Sequence, residues 1–282
     1  MTQKVAIITD SSAYLPENLV EELGIHVVPL KLHWDEDTFR DGVDIRAEAF
    51  YARLAESETI PTTSQTTTGE FEALFKSLLD QDYAVLAILI SSGISGTVDS
   101  AMLAKNTFPD APLAVVDSRL VSMALGFMVL AAARAAAEGA SLEACQALTE
   151  EIYPKIGVYF TVDTLKYLNK GGRINTAKRL VGSALNIKPI MEIRDGKIEL
   201  VESVRSRKKA IARLLDLVAR DIDGCEHVRI STFHAAAEVD NLALMAQAVE
   251  RFNPLEKVTT FVSPVVGTHT GPGTLSIAYQ ID

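Results

Sequence analysis

Residues 83–97 of the chain read YAVLAILISSGISGT. The stretch begins with an aliphatic run, Tyr83–Ile90, passes through a turn of serines and glycines, and continues into a helical pattern. Val5–Thr9 and Leu113–Val116 are similar runs, and each is followed by a hydroxyl-rich turn and a helical pattern. Short apolar runs bounded by turn residues are typical of buried strands. Strands that alternate with helices predict crossover connections and a parallel sheet covered by helices on both faces.

Three further segments of the N-terminal half fit this arrangement. Pro16–Leu23 has helical spacing and ends at Gly24, a residue type that commonly terminates helices. Ile25–Leu32 is predicted to be a second strand. Met123–Ala133 is strongly hydrophobic, but Arg134 interrupts it well short of the roughly 18 apolar residues that a membrane span requires. We therefore predict a buried helix there.

The pattern changes in the C-terminal half. Ile190–Arg194 and Lys197–Val201 are separated by Asp195-Gly196, a dipeptide that suits the tight turn of a β-hairpin. The other predicted elements are a strand at Gly157–Val162, a mostly helical segment at Thr164–Asn186 interrupted by Gly171-Gly172, a basic helix at Arg207–Arg220, a strand at Val228–Thr232, a helix at Val239–Phe252 and two strands around Gly267–Gly273. We predict an α/β protein with a parallel-sheet α/β domain at residues 1–157 and an α+β domain at residues 158–282.

Charge is distributed unevenly along the 282 residues. Residues 1–157 contain 10 basic and 23 acidic side chains, a balance of −13, whereas residues 158–282 contain 17 and 14, a balance of +3. The overall charge of −10 argues against non-specific nucleic-acid binding, which requires a basic face. The asymmetry indicates two domains with different functions.

The cysteines and the N-terminus predict a cytoplasmic protein. Cys145 and Cys225 lack metal or redox spacing, which is typical of free thiols in a reducing compartment. The chain begins MTQKVAIITD and enters the first predicted strand without a secretory signal pattern. We expect no metal and no cofactor, because the sequence has neither metal-ligand spacing nor a nucleotide-binding glycine motif.

Three hydroxyl clusters lie where predicted strands end or helices begin. They are Thr9-Asp10-Ser11-Ser12, Thr62-Thr63-Ser64-Gln65-Thr66 and Ser91-Ser92-Gly93-Ile94-Ser95-Gly96-Thr97. Ligands of open parallel sheets bind at the carboxyl ends of the strands, and hydroxyls beside helix N-termini can bind an anion. The same residue types also cap helices and form turns. Each cluster is therefore either part of an anion site or an ordinary capping position.

Ser95 and His269 also allow an enzymatic interpretation. The segment around Ser95 differs from the Gly-x-Ser-x-Gly elbow of α/β-hydrolases because Thr97 occupies the last position. His269 lies in a predicted loop, Gly267–Gly273. A nucleophilic serine needs a base and a third group that orients the base, and the sequence offers no evident third group. A serine esterase or acyltransferase is the alternative function, whereas hydroxyl and imidazole could instead donate hydrogen bonds to a carboxylate.

Basic residues of the second half allow two interpretations. The paired glycines at 171 and 172 either permit a tight turn that directs Arg173 into a pocket or toward a partner, or end a helix before an ordinary surface arginine. The cluster of Arg205, Arg207, Lys208, Lys209 and Arg213 is either a solvated helix face or a docking patch in an otherwise acidic chain.

At these residues the sequence resembles the DegV family, the fatty-acid-binding proteins that serve as the binding subunit of bacterial fatty acid kinase. The resemblance covers essentially the whole chain and rests on the three hydroxyl clusters, on Tyr167–Ile174 and on Gly267–Gly273. It implies a parallel α/β domain, an α+β domain and a fatty acid between them. The family usually has proline after Ser-Gln, where this chain has Thr66.

The resemblance also implies roles for individual residues. Thr63 and Ser95 match the hydroxyls that contact the carboxylate, and His269 matches a histidine nearby. Further residues at the pocket or at a docking surface would be Ser64, Gly96, Thr97 and Arg173. The carrier would perform no chemistry itself. Its partners would be a long-chain fatty acid and a separate kinase, which would use ATP to convert the bound carboxylate into an acyl phosphate.

Overall fold

The computed structural model describes residues 3–180 and 187–282. Its strands are β1 (Val5–Asp10), β2 (His26–Val28), β3 (Lys31–Trp34), β4 (Asp37–Arg40), β5 (Thr62–Ser64), β6 (Ala84–Leu89), β7 (Leu113–Asp117), β8 (Ile156–Thr161), β9 (Lys188–Arg194), β10 (Lys197–Val204), β11 (Val228–His234), β12 (Glu256–Phe261) and β13 (Leu275–Ile281). Its helices are α1 (Glu17–Glu22), α2 (Ala47–Glu56), α3 (Thr68–Leu79), α4 (Thr97–Lys105), α5 (Ser122–Ala137), α6 (Leu142–Ile152), α7 (Lys166–Lys170), α8 (Arg207–Asp221), α9 (Glu238–Phe252) and α10 (Pro264–Thr270).

The N-terminal half contains a four-stranded parallel sheet in the order β2-β1-β6-β7. On one face, α3 and α4 contribute Phe71, Phe75 and Val98 to a core with the strands. On the other face, α5 and α6 pack against the sheet. Every residue of β6 is buried because both faces are covered, which explains its continuous apolar sequence. The predicted parallel sheet is confirmed.

α5 lies between the two halves of the molecule. It contacts β1 and β6 of the parallel sheet and β8 and β13 of the second sheet. Met123, Leu125 and Phe127 are almost completely buried, because a helix enclosed on all sides has no polar face. The predicted buried helix is confirmed. None of the helices in residues 3–180 and 187–282 is long and apolar enough to cross a membrane.

The second sheet is mixed and has six strands in the order β10-β9-β8-β13-β11-β12. α8 and α9 cover one face through Leu214, Val218 and Leu244, and the opposite face packs toward α5. β9 and β10 form the predicted hairpin, whose turn residues Asp195 and Gly196 have φ of 49° and 77°, as a primed turn requires. This half is α+β, as predicted. The exact domain boundary at residue 157, which falls inside β8, stays a prediction.

Two predicted elements were wrong. Ile25–Leu32 is not one strand, because β2 belongs to the parallel sheet and β3 to a small antiparallel sheet in the order β4-β3-β5. Pro29 lies between them and has no N–H to donate to a ladder. Residues 267–270 are not a loop, because residues 264–270 form α10; only residues 271–273 of the predicted loop lie outside a helix or strand. Ser263 caps that helix by accepting from the N–H of Val266, and Pro264 occupies its first turn.

The segment predicted as mostly helical, Thr164–Asn186, is less regular than expected. It contains the short helix α7 and a 3-10 turn at Asn175–Leu180, while residues 181–186 lie outside the described residues. Gly172 follows α7 with a φ of 74°, a conformation that ends a helix and that glycine adopts without strain.

Candidate functional site

A pocket lies between the C-terminal end of β6 and the inner face of the six-stranded sheet. Its apolar walls are formed by Leu30, Ile90, Ile94, Val121, Val158, Phe160, Ile193, Ile198, Phe233, Val262, Val265 and Val266. Its polar lining residues are Thr63, Ser64, Gln65, Ser95, Gly96, Ser122, Arg173, His269, Thr270, Thr274 and Ser276. A mostly apolar cavity with a few convergent polar groups is the usual form of a small-molecule site.

Three elements distant in sequence bring Thr63, Ser95 and His269 to this pocket. Thr63 lies in β5, Ser95 in the turn before α4, and His269 in the last turn of α10. The Oγ1 of Thr63 and the Nε2 of His269 are 2.8 Å apart. The Oγ of Ser95 is 2.8 Å from the Oγ1 of Thr97. The structure therefore brings together the three residues predicted to contact a carboxylate.

His269 is neutral in this environment. Burial lowers its pKa to about 4, and the positive charge of Arg173 acts in the same direction. Its Nδ1 has no hydrogen-bond partner among the described residues and lies against Gly171. We assign the single proton to Nε2, because an N–H directed at the Gly171 methylene would be both crowded and unpaired. Nε2–H then donates to Thr63, which leaves the Thr63 hydroxyl proton available to the pocket.

Arg173 brings a positive charge to the same lining. Its Nε donates to the carbonyl oxygen of Ile94 at 3.1 Å, and its Nη1 donates to the carbonyl oxygen of Gly171. Within residues 3–180 and 187–282, no carboxylate forms an ion pair with it. Because backbone carbonyls hold the guanidinium without neutralising it, this end of the pocket attracts an anion.

The other predicted residues fall into two groups. Ser64 lines the pocket, and its Oγ is 2.8 Å from the Nε2 of His33. Gly96 also lines the pocket, and a Cβ at this position would lie 2.9 Å from the side-chain Nε2 of Gln65. Thr97 is buried at the start of α4 but outside the lining, where it pairs with Ser95.

Arg205 and Arg207 lie outside the pocket lining and differ from each other. Arg205 is exposed. Arg207 is half-buried, pairs with Asp240 at 2.7 Å and donates to the carbonyl oxygen of Gly273. Arg207 therefore fixes the start of α8 to the segment that follows α10.

The first hydroxyl cluster does not line this pocket. Asp10 accepts hydrogen bonds from the N–H groups of Ile90 at 2.7 Å and Ser12 at 3.0 Å. Ser11 donates to Asp41 at 2.6 Å. In this cluster Asp10 caps the short turn that follows β1, as the capping interpretation predicts.

Sequence reasoning missed Thr270 and Ser276 as lining residues. Thr270 follows His269 directly, so its position in the predicted motif was a usable signal. Ser276 lies in β13, and only the pairing of that strand with β8 and β11 brings its side chain to the pocket.

Comparison with known proteins assigns the chain to a family. The family model described as an uncharacterised protein of the DegV family matches residues 4–282. This protein belongs to the DegV family. A DegV domain-containing protein of Listeria monocytogenes is 36% identical over 282 residues, 100% of each chain. Protein DegV of Bacillus subtilis is 34% identical over 276 residues, which is 98% of each chain.

Solved DegV structures share the whole fold. A DegV family protein from Thermus thermophilus, described by its fatty acid binding, superposes with a TM-score of 0.94 at 32% identity, covering 99% of this chain and 100% of that one. DegV from Bacillus subtilis, described as a fatty acid binding protein, gives a TM-score of 0.90 at 34% identity and covers 100% of both chains. The predicted DegV resemblance and fold class are confirmed.

The geometry of this DegV protein does not form the catalytic triad of a serine esterase. Ser95 is hydrogen-bonded to Thr97, whereas the Nε2 of His269 is hydrogen-bonded to Thr63. In the described chain the Nδ1 of His269 has no acidic partner to orient it, although a general base of this kind needs one. The alternative function using Ser95 and His269 therefore has no geometric support.

Proposed function

We propose that this protein binds one long-chain fatty acid, with the acyl chain in the apolar part of the pocket and the carboxylate at Thr63, Ser95, His269 and Arg173. The observation that carries the proposal is the polar end of an otherwise aliphatic pocket. There, a Thr63–His269 hydrogen bond and a cation without a described carboxylate partner face the same cavity. Related proteins described as fatty acid binding support it.

The energetics favour a ligand that has both a carboxylate and a long acyl chain. A carboxylate taken from water without partners costs several kcal/mol, so its oxygens need two or three donors. The hydroxyl oxygens of Thr63 and Ser95 can accept hydrogen bonds from His269 and Thr97. The hydroxyl protons of Thr63 and Ser95 can then be donated to the carboxylate. Each buried methylene returns about 0.8 kcal/mol. A long chain therefore outweighs the cost of ordering it.

The proposal extends to a second protein. A separate ATP-dependent fatty acid kinase would phosphorylate the bound acid: a carboxylate oxygen bonds to the γ-phosphorus of ATP, and ADP leaves. The basic residues at the start of α8 support a docking role, because Arg205, Lys208 and Lys209 are exposed. Arg207 is also part of this proposed surface, although its Nε and Nη1 donate to Asp240 and to the carbonyl oxygen of Gly273.

Extraction of the purified protein tests the proposal. Protein produced in a bacterial host should release a long-chain fatty acid in near-equimolar amount on organic extraction, as measured by mass spectrometry against an internal standard. Repeated preparations without any fatty acid, from protein that remains folded and fails to take up added palmitic acid, would contradict it.

A further inference from the structure

Three hydroxyl groups in the pocket lining, those of Ser122, Thr270 and Ser276, have no hydrogen-bond partner in the described part of the chain. Thr270 is 6% exposed, and its Oγ1 is unpaired. Ser276 is 1% exposed, and no hydrogen bond involves its Oγ. Thr274, between them in sequence and in the same lining, has its hydroxyl occupied by the carbonyl oxygen of Gly271 at 2.7 Å. Thr270 and Ser276 thus carry unpaired hydroxyls within one short segment, whereas Ser122 lies at the start of α5.

The Ser276 hydroxyl lies among aromatic side chains. In the sheet, Ser276 pairs with Phe160 of β8 on one side and with Phe233 of β11 on the other. All three side chains line the pocket, so one hydroxyl lies between two aromatic rings on a wall that an acyl chain would contact. Buried hydroxyls without partners are costly, and the great majority in folded proteins are paired with protein, water or ligand. A hydrocarbon chain offers no partner.

We infer that the acyl pocket accepts a long-chain fatty acid carrying an oxygen on its chain, as a hydroxyl or keto group, and that Ser276 or Thr270 forms a hydrogen bond with that oxygen. This inference rests on the proposed function. A hydroxyl of the protein can donate to a keto oxygen, and it can either donate to or accept from a hydroxyl on the acyl chain. The head group remains at Thr63, Ser95, His269 and Arg173.

Competition titrations with delipidated protein test the inference. The probes are stearic acid and its 3-, 10- and 12-hydroxy and 10-keto derivatives. At least one oxygenated acid should bind the wild type at least as tightly as stearic acid. Its affinity relative to stearic acid should fall about tenfold in Ser276→Ala or Thr270→Val, the loss expected when one buried hydrogen bond is removed.

Ser231→Ala is the matched control. Ser231 lies in β11, is buried and has an unpaired hydroxyl, but it does not line the pocket. Its substitution should leave the affinity of each oxygenated acid relative to stearic acid unchanged. If every oxygenated acid binds the wild type more weakly than stearic acid and the ratio is the same in all variants, water satisfies these hydroxyls and the inference is wrong. Failure of stearic acid itself to bind the wild type would instead contradict the proposed function.

Discussion

Gly171 is the residue whose lack of a side chain shapes the polar end of the pocket. A Cβ at this position would overlap the Nδ1 of His269. Its φ of −76° is one that any residue adopts, so an alanine would meet resistance from the imidazole and not from its own backbone. The position of His269, and through it the Thr63 hydroxyl, therefore depends on Gly171.

Substitution of Gly171 should accordingly affect ligand binding. Gly171→Ala is expected to displace His269 and with it the Thr63 hydroxyl. Palmitic acid binding should weaken by about tenfold or more, because the buried hydrogen bond from Thr63 to the charged carboxylate is lost. Gly172→Ala is the control: no atom lies within 4 Å of its added Cβ, but its φ of 74° strains the backbone. It should lower the free energy of unfolding by about 1 kcal/mol. Equal losses of affinity in the two variants, measured by titration, would show that His269 is not positioned in this way.

At the scale of elements, the start of α8 carries exposed basic residues that would attract the proposed kinase. Arg205, Lys208 and Lys209 are exposed. Arg207 links α8 to the segment that follows α10, and α10 itself carries His269. Exposed charges of this kind mainly set the rate at which two proteins meet. They contribute little to the stability of the helix itself.

Charge reversal tests this surface. Arg205→Glu/Lys208→Glu should slow acyl-phosphate formation by the cognate kinase, and the wild-type rate should fall as salt rises because screening weakens the attraction. Lys4→Glu/Lys257→Glu makes the same change in net charge at exposed lysines outside α8 and should have a smaller effect. Equal rates for the two double variants would rule out a specific docking role for α8.

Several elements follow directly from local sequence, whereas others depend on tertiary structure. The hairpin at Asp195-Gly196 and the buried helix α5 were predicted because turn chemistry and an uninterrupted apolar run are local signals. The division of Ile25–Leu32 at Pro29 depends on which sheet each part joins. α10 was missed because its glycines suggested a loop, although Ser263 and Pro264 carry a helix-start signal. The position of Ser276 in the lining follows only from strand pairing across the whole second sheet.

At the scale of the whole molecule, the pocket uses parts of both halves of the chain. The acidic N-terminal half supplies Thr63 and Ser95, and the more basic C-terminal half supplies Arg173 and His269. A carboxylate bound there would contact both halves at once. The acid group, and not the hydrocarbon alone, should therefore determine binding.

The most direct test compares palmitic acid with methyl palmitate in titrations of delipidated wild-type, Ser95→Ala and Thr63→Val protein. The ester keeps the acyl chain but has no charge to interact with Arg173 and no second oxygen of equal basicity. The wild type should bind the acid at least about 100-fold more tightly, and each variant should lose about 1–3 kcal/mol for the acid and much less for the ester. Equal affinity of acid and ester for folded wild-type protein, unchanged in both variants, would contradict a carboxylate held at Thr63, Ser95, His269 and Arg173.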